Sequence, residues 1–431
     1  MMLAGVTGNV RAASDSAQRV INLSSIRAVS KDGTVGTIPP MAPLTDEAWV
    51  TTPGASGADG TVQAYNTGTG SFVGPSISVG ISPGSVAVDA KFEQVLVADS
   101  GDSNVWAINM LSEKAISIAL PSGAQKSSIV FDDPYGYALV LENASNEVSV
   151  IDMRTDTLVG TVVLFGISGG NATGLSASPD GSHIYISDYH DCRIEVLKYD
   201  STQPAKFSTQ QDYTNYTLFG PRDLITSPGG DFLYASAPYL GSGTATGYVL
   251  RYSLNSDGSI STSTAPSTLP VDADNEPGAI ALSPTGSTLY AAIRNEAQVD
   301  YWTAPSTTSA AASVATTDLQ VANLVVRPDG GLLDLVGRVS GVTPRIETYN
   351  LAAAVNGTQG PSDVSHEDLG TIPSAIAVGA ATNLRFWAYV TDSSANTLSV
   401  VDTVSNNVVT TIGVGSQPDA VAVSPDGAYV Y

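Results

Sequence analysis

Short runs of alternating apolar and polar residues, separated by turn-forming residues, recur along most of the chain. The clearest example covers residues 389–427, where Val, Leu and Ile alternate with Ser and Thr over four segments. A period of two is typical of half-buried β-strands. The last segment ends in Ser424-Pro425-Asp426-Gly427, in which Pro fixes φ and Gly accepts positive φ. The pattern predicts a small four-stranded antiparallel sheet.

This unit repeats about every 45 residues, the spacing of a repeat architecture. Its turn recurs as Ser178-Pro179-Asp180-Gly181, Ser227-Pro228-Gly229-Gly230, Ser283-Pro284-Thr285-Gly286 and Arg327-Pro328-Asp329-Gly330. Seven complete units run from residue 81 to residue 417; residues 47–80 hold three strands of another unit, and residues 418–431 supply its first strand. We expect an all-β propeller of four-stranded antiparallel blades, with eight blades favoured over seven. Pairing of the N- and C-terminal strands would close the ring and remove exposed edges.

The repeats predict a single propeller domain over residues 41–431. Residues 1–40 lack a steady period and predict an extended or partly disordered lead-in. The final residues, 428–431, begin another second strand, so a module of a larger chain is an alternative that the sequence leaves open.

The charge balance narrows the range of partners. The chain has 41 acidic and 18 basic side chains and a net charge of −23, which disfavours nucleic acid as a partner. No apolar run is long enough for membrane insertion, and no complete signal peptide is visible. The single cysteine, Cys192, leaves no CxxC pair, and the Gly-rich segments lack the helix and Lys-Ser/Thr pair of a phosphate loop. The sequence therefore predicts no cofactor.

Three histidines, His183, His190 and His366, limit any His-based chemistry. His190, Asp191 and Cys192 are consecutive, and a thiol beside an imidazole can act as a nucleophile. Neighbouring strand residues point to opposite sides, so a solvated loop is the favoured interpretation of this cluster. His183 precedes a second strand, where a structural role is favoured.

Two acidic segments are candidates for cation binding. Asp272, Asp274 and Glu276 place three carboxylates within five residues, which suits Ca²⁺. A solvated acidic loop is the favoured interpretation in a chain this acidic, and the same holds for residues 366–368. No residue is assigned to catalysis, to a cofactor or to a metal from the sequence.

The residues of the unit at 389–427 resemble the YVTN β-propeller repeats of bacterial and archaeal surface-layer-type proteins. The resemblance extends in weaker form over residues 47–431. It implies a secreted or surface propeller, extracellular or in the cell envelope, that binds a protein or glycan partner and has no shared enzymatic activity.

A second resemblance is to the lactonase-like propellers related to 6-phosphogluconolactonase. The blades of that family often begin with Pro-Arg-His, and here the stretch reads Pro221-Arg222-Asp223, followed by the Ser-Pro turn at 227–230. Asp223 stands where the family has His.

Two functions follow from these resemblances. We expect a non-enzymatic extracytoplasmic propeller for binding or scaffolding, because no convergent catalytic set is visible. The alternative is a lactonase- or lyase-like enzyme at the mouth of the central channel. That alternative predicts that His183 or His190 meets Arg222 and a carboxylate there.

Overall fold

The strands of the protein fall into two compact units in a computed structural model of the chain. The first unit comprises residues 45–383, and the second comprises residues 1–44 and 384–431. The structure describes residues 27–29, 35–37, 47–54, 58–66, 71–89, 91–110, 112–121, 126–132, 134–165, 172–214, 220–238, 247–271, 276–294, 296–303, 305, 312–316, 319–327, 330–339, 343–351, 362–368, 375–378, 387–392, 394–402, 408–414 and 429–430.

Seven four-stranded sheets form the first unit. We number the strands along the chain and the sheets as blades 1 to 7, and give each blade from its inner to its outer strand. Blade 1 is β30 (Ala375–Val378), β3 (Glu47–Thr52), β4 (Thr61–Asn66) and β5 (Ser71–Ser78); blade 2 is β6 (Pro83–Asp89), β7 (Gln94–Asp99), β8 (Asn104–Asn109) and β9 (Ala115–Ala119); blade 3 is β10 (Lys126–Asp132), β11 (Tyr137–Glu142), β12 (Glu147–Asp152) and β13 (Thr157–Val163); blade 4 is β14 (Ala172–Ala177), β15 (His183–Asp188), β16 (Arg193–Tyr199) and β17 (Phe207–Thr214); blade 5 is β18 (Leu224–Thr226), β19 (Phe232–Ala237), β20 (Tyr248–Ser253) and β21 (Ser267–Pro270); blade 6 is β22 (Pro277–Leu282), β23 (Thr288–Ile293), β24 (Gln298–Thr303) and β25 (Ala312–Ala315); blade 7 is β26 (Leu319–Val326), β27 (Leu332–Val339), β28 (Thr343–Asn350) and β29 (Ser362–Asp368).

The inner strands form a closed ring. Each inner strand contacts that of the next blade, and β30 contacts both β26 and β6. The predicted all-β propeller of four-stranded antiparallel blades is confirmed. The favoured count of eight blades is wrong, because the ring has seven.

The difference lies in the strand that closes the ring. β30 pairs antiparallel with β3, with Ile376 opposite Val50 and Ala377 opposite Trp49. Residues 375–378 are therefore not the first strand of a separate last blade but complete blade 1. Closure between an early and a late strand occurs as expected, one repeat sooner than predicted. Of the segment predicted to close the ring, residues 418–428 lie outside the described residues.

The second unit contains two three-stranded sheets. One has the order β2 (Val35–Thr37), β1 (Arg27–Val29) and β34 (Tyr429–Val430), with β34 parallel to β1. The other is an antiparallel meander of β31 (Trp387–Asp392), β32 (Thr397–Asp402) and β33 (Val408–Gly413). Within the predicted lead-in of residues 1–40, the structure describes only β1 and β2. No helix with the length and hydropathy of a membrane span occurs in the described part of the chain.

The core of the propeller lies between blades. Every residue of the second strands β11 and β15 is buried, because each blade packs between two others. Leu139 and Leu141 of blade 3 share one apolar cluster with Ile184 and Ile186 of blade 4. Burying each such side chain contributes about 1.5–3 kcal/mol. These contacts between blades therefore stabilise the ring.

The predicted turns define the two faces of the ring. Gly181, Gly230, Gly286 and Gly330 have φ between 69° and 73°, and each donates its N–H to the carbonyl oxygen three residues earlier. Each turn follows an inner strand, so the turns share one face of the ring, the turn face. The first residues of the inner strands lie on the other face, the mouth face.

Candidate active site at the mouth face

The pairing register gives all seven blades a common reference residue. In each blade, one inner-strand residue is paired with the fourth residue of the second strand. These anchor residues are Val86, Ile129, Leu175, Leu224, Ile280, Leu324 and Ile376. In five inner strands the register shifts just before the anchor, toward the mouth face. Such β-bulges re-aim side chains and are over-represented beside active sites.

The residue two positions before the anchor lies at this bulge level. In the described inner strands and their approaches, these residues are Gly84, Ser127, Thr173, Arg222, Gly278 and Ala322. Arg222 is therefore the one charged residue at this level of the described chain, and the others are small. At this level of the described inner strands and their approaches, charge therefore enters the mouth from blade 5.

The backbone of Arg222 is held by two blades. Its N–H donates to the Ser236 carbonyl oxygen at 2.8 Å within blade 5. Its own carbonyl oxygen accepts from Thr173 Oγ1 at 2.9 Å and from Ser187 Oγ at 2.8 Å in blade 4. Gly174 permits this approach, because a Cβ there would collide with the Arg222 carbonyl oxygen. The position of Arg222 is thus fixed by the seam between blades 4 and 5.

The guanidinium of Arg222 lies over the ring of Tyr189, with 5.6 Å between its central carbon and the ring centroid. Tyr189 follows the second strand of blade 4, so the contact crosses between blades. Burial lowers the pKa of Arg222, and the nearby Arg294 lowers it further, while Tyr189 and Glu276 raise it. The cation is therefore partly desolvated, a setting in which its interactions with an anion strengthen.

Blade 6 brings an ion pair to the same area. Arg294 Nη1 lies 3.3 Å from Glu276 Oε2, and the two side chains are 41% and 40% exposed. The Arg294 N–H also donates to the Glu276 carbonyl oxygen at 2.8 Å. Arg294 occupies the same place after its second strand as Tyr189 does in blade 4. Tyr189, Arg222, Glu276 and Arg294 together form a polar group from three blades, here called the mouth cluster.

His190 adjoins the mouth cluster, as the alternative hypothesis predicts. Its ring meets that of Tyr189 edge to face, with 5.5 Å between centroids, and its side chain is exposed. Its backbone N–H donates to Asp188 Oδ1 at 3.0 Å, which fixes the loop. Arg222 and His190 thus contact the same tyrosine ring.

Cys192 takes no part in this group. The residue is buried, and burial raises the pKa of its thiol, with Asp188 and Asp191 adding to the effect. A thiol in this setting stays protonated and is a poor nucleophile. His190 and Asp191 are exposed, as in the solvated-loop interpretation of this segment, whereas the buried Cys192 departs from it.

His183 lies at the turn face instead. It begins strand β15, whereas Arg222 contacts Ser187 about 13 Å further along the same strand. His183 is buried, with Nδ1 2.6 Å from Ser182 Oγ and Nε2 2.8 Å from Gln210 Oε1. Burial lowers its pKa. The imidazole is a packed structural group and does not meet Arg222.

The two acidic segments give no metal centre in the described chain. Asp272 and Asp274 lie outside the described residues, and Glu276 is paired with Arg294. His366 lies in β29 opposite Glu347. Among the residues that the structure describes, no three His, Cys, Asp or Glu side chains come close enough to hold a metal ion.

The sequence singled out Arg222 and His190 but missed Tyr189 and Arg294. Both missed residues directly follow a second strand, at the end of β15 and of β23. Comparing that position across the repeats would have found them. The sequence alone does not show that the residue after a second strand, such as Tyr189, lies beside the residue before the next inner strand, such as Arg222.

The comparisons with known proteins agree with the seven-bladed ring. The family described as "Lactonase, 7-bladed beta-propeller" matches residues 175–348, less than half of the 431 residues. A search of curated proteins finds no match.

Several solved structures share the fold. A putative 6-phosphogluconolactonase from Bacteroides uniformis is 19% identical, covers 78% of this chain and 100% of its own, and has a TM-score of 0.60. The periplasmic gluconolactonase of Pseudomonas aeruginosa is 17% identical, with coverage of 78% and 99% and a TM-score of 0.59. A protein from Lactobacillus plantarum is 15% identical, with coverage of 78% and 99% and a TM-score of 0.62.

The family match overturns the expectation of a non-enzymatic binding or scaffolding protein. The matched segment, residues 175–348, carries the name of an enzyme family. It also contains the whole mouth cluster, from Tyr189 to Arg294. The expectation rested on the repeat type, the acidic surface and the lack of a convergent catalytic set in the sequence, whereas the residues of the mouth cluster come together only from three blades.

Proposed function

We propose that the protein is a lactone hydrolase that acts at the mouth face, beside Arg222. In this reaction water adds to the carbonyl carbon of a cyclic ester, the bond from that carbon to the ring oxygen breaks, and a hydroxy acid is formed. The observation that carries the proposal is the mouth cluster itself: polar side chains from three blades meet at one mouth, inside the segment that matches the lactonase family.

Arg222 is the group suited to the developing negative charge. When water adds, the carbonyl oxygen becomes an oxyanion, and preorganised donors at that point lower the barrier most. The guanidinium is partly buried and stacked on Tyr189, so little reorganisation is needed for it to donate. Because its backbone is held by Ser236, Thr173 and Ser187, its position stays fixed during the reaction.

His190 supplies the proton transfer in this proposal. An exposed imidazole beside the stacked pair accepts the proton of the attacking water and returns it to the ring oxygen as the C–O bond breaks. The acid that is formed then loses its proton to solvent. Protons therefore balance without any additional reactant.

Sugar lactones are the substrates that the cluster suits best. Arg294 and Glu276 offer donors and acceptors for ring hydroxyls one blade away from Arg222. The names of two structures with the same fold concern 6-phosphogluconolactone and gluconolactone hydrolysis, which supports the same choice. A location outside the cytoplasm and a relation of residues 389–427 to YVTN repeats stay predictions.

A lactone panel with an arginine variant tests the proposal. We expect wild type to hydrolyse at least one of glucono-1,5-lactone, 6-phosphogluconolactone and an aryl lactone faster than the uncatalysed rate. The substitution Arg222→Met keeps the aliphatic stem but removes the donors, so kcat/KM should fall by about 10²–10³-fold. Titration of the released acid at constant pH measures both.

Arg251→Met is the matched control for this experiment. Arg251 also stacks on an aromatic ring, that of Phe232 at 4.0 Å, but Phe232 begins its second strand at the turn face. Activity of this variant should equal that of wild type. Uncatalysed rates with every lactone, or full activity in Arg222→Met, would contradict the proposal.

A further inference from the structure

We infer that Asp223 is the positioning residue of the mouth cluster: its carboxylate ties the Arg222 segment to blade 6 and so holds the guanidinium in place. The inference rests on the proposed function for its catalytic consequence. Its structural part, the fixed position of an anion-binding arginine, is tested without turnover.

The carboxylate of Asp223 spans a seam between blades. Oδ2 accepts the N–H of Ile280, the anchor residue of blade 6, at 2.9 Å. Oδ1 accepts the N–H of Leu224, the anchor residue of blade 5, at 3.0 Å. One side chain thus connects equivalent points of two inner strands. A carboxylate suits this role because both of its oxygens accept and neither donates.

The neighbouring backbone completes a clamp that involves three blades. Asp223 N–H donates to Ser236 Oγ at 3.1 Å, and its carbonyl oxygen accepts from Ser236 N–H at 3.0 Å. On the other side, Thr173 and Ser187 of blade 4 hold the Arg222 carbonyl oxygen. Arg222 therefore sits between a blade 4 contact and a blade 6 contact, and Asp223 makes the latter.

Asp223 is also unusual among its equivalents. The residues one position before the anchors are Ser85, Ser128, Gly174, Asp223, Ala279, Asn323 and Ala375. Only blade 5 has a carboxylate at this level, and only blade 5 has an arginine at the preceding level. Arg222 and Asp223 therefore occur in the same blade, as expected if Asp223 positions Arg222.

Protonation should weaken the clamp. Burial raises the pKa of Asp223 to about 6, while the N–H groups of Ile280 and Leu224 and the charge of Arg222 oppose the rise. Arg222 is the one charged group acting on this carboxyl, and Arg294 and Glu276 act on Arg222 in turn. Below about pH 6 one oxygen carries a proton and becomes a weaker acceptor, so one of the two N–H groups is held less strongly.

Binding of inorganic sulfate to Arg222 distinguishes a positioning role of Asp223 from a purely electrostatic one. Asp223→Asn removes a negative charge, so a purely electrostatic role predicts tighter sulfate binding at pH 7.5. A positioning role predicts weaker binding, by about fivefold to tenfold, because the amide NH₂ cannot accept one of the N–H groups. Isothermal calorimetry measures the affinity, with Arg222→Met as the reference for loss of the site. Tighter or unchanged binding in Asp223→Asn would overturn the inference.

Thr173→Val is the matched variant on the other side of the clamp. It removes one of the two hydroxyls that donate to the Arg222 carbonyl oxygen, leaves that of Ser187, and leaves every charge in place. Sulfate binding should weaken here too, now without any change in its dependence on pH. Unchanged affinity in this variant would count against a clamp that positions Arg222.

A second measurement tests the inference if the Asp223→Asn variant does not fold. In His190→Gln, whose replaced imidazole cannot titrate, sulfate affinity should fall as pH drops from 7.5 to 5. A rise would overturn the inference, because it is what loss of a nearby negative charge alone produces.

Activity then separates this inference from the proposed function. If wild type hydrolyses a lactone, Asp223→Asn should lower kcat by about 10–100-fold with a smaller change in KM, since misplacing Arg222 affects the transition state most. Full kcat would overturn the positioning role while the proposed function stands. If wild type hydrolyses none, the proposed function fails and the sulfate measurements still decide the clamp.

Discussion

At the scale of single residues, two blades of the propeller share a backbone conformation at the position before their third strand. Asn146 and Cys192 each directly precede a third strand of the propeller, and Asn396 precedes the third strand of the last repeat. Their φ values are 55°, 52° and 58°. Asn tolerates this left-handed region better than other non-glycine residues, whereas β-branched residues do not. Cys192 thus occupies a backbone conformation that suits Asn better than Cys.

The positive φ of Cys192 predicts opposite effects for two substitutions of similar size. Cys192→Asn should be at least as stable as wild type toward urea, because Asn suits positive φ. Cys192→Val should be less stable by about 1–2 kcal/mol. Equal stability of the two variants would show that φ does not limit this position.

The residues of the mouth were only partly predictable. Arg222 was visible in the sequence because it follows Pro221 before a recognisable inner strand. Tyr189 and Arg294 were not, because each is a single aromatic or charged residue in a loop, and only the ring brings the loops together. Asp223 was noted as a departure from a family pattern, but its bond to Ile280 depends on the register of the next blade.

At the scale of elements, the inner strand β14 must approach the Arg222 segment closely. A Cβ on Gly174 would collide with the Arg222 carbonyl oxygen and lie 2.7 Å from Ser187 Oγ. Backbone cannot move aside here without opening the seam between blades 4 and 5.

Gly174→Ala should therefore lower the free energy of unfolding by about 1–3 kcal/mol and reduce lactone turnover. Gly229→Ala is its control, because a Cβ there meets only the end of the Asp231 side chain at 3.1 Å, in an exposed turn. Urea unfolding and the lactone assay compare the two. Similar stability for both variants would contradict the close approach.

The strands themselves were well predicted, and their assignment to blades was less so. Period-two segments and Ser-Pro turns identified inner, second and third strands because a blade depends on local pairing. The strand that pairs with β3 could not be predicted in this way. Residues 375–378 and 418–423 both alternate apolar and small residues, so the sequence cannot tell which one completes blade 1, and a count of eight resulted.

At the scale of the whole molecule, closure of the ring depends on four residues. β30 supplies Ile376, which is buried with Val50 in the cluster that also holds residues of blade 7. Without β30, strand β3 would expose an unpaired edge.

Truncation tests this dependence. A chain of residues 45–383 should unfold cooperatively and stay monomeric, because it contains all seven blades. A chain of residues 45–374 should lose about 3–5 kcal/mol or self-associate, since it lacks the buried Ile376 and leaves an edge open. Urea unfolding and size-exclusion chromatography distinguish the two outcomes. Equal behaviour would show that β30 does not close the ring.

The pairing of β3 with β30 also determines when blade 1 can be completed during protein synthesis. Strand β3 leaves the ribosome early, but its partner follows only after residues 53–374 have been made. At roughly 5–20 residues per second, blade 1 waits on the order of 16–64 s with an unpaired edge. During that interval a nascent chain is open to pairing with its neighbours on the same messenger RNA. Slower translation lengthens this window, so the yield of folded protein should depend on elongation rate more than its final stability suggests.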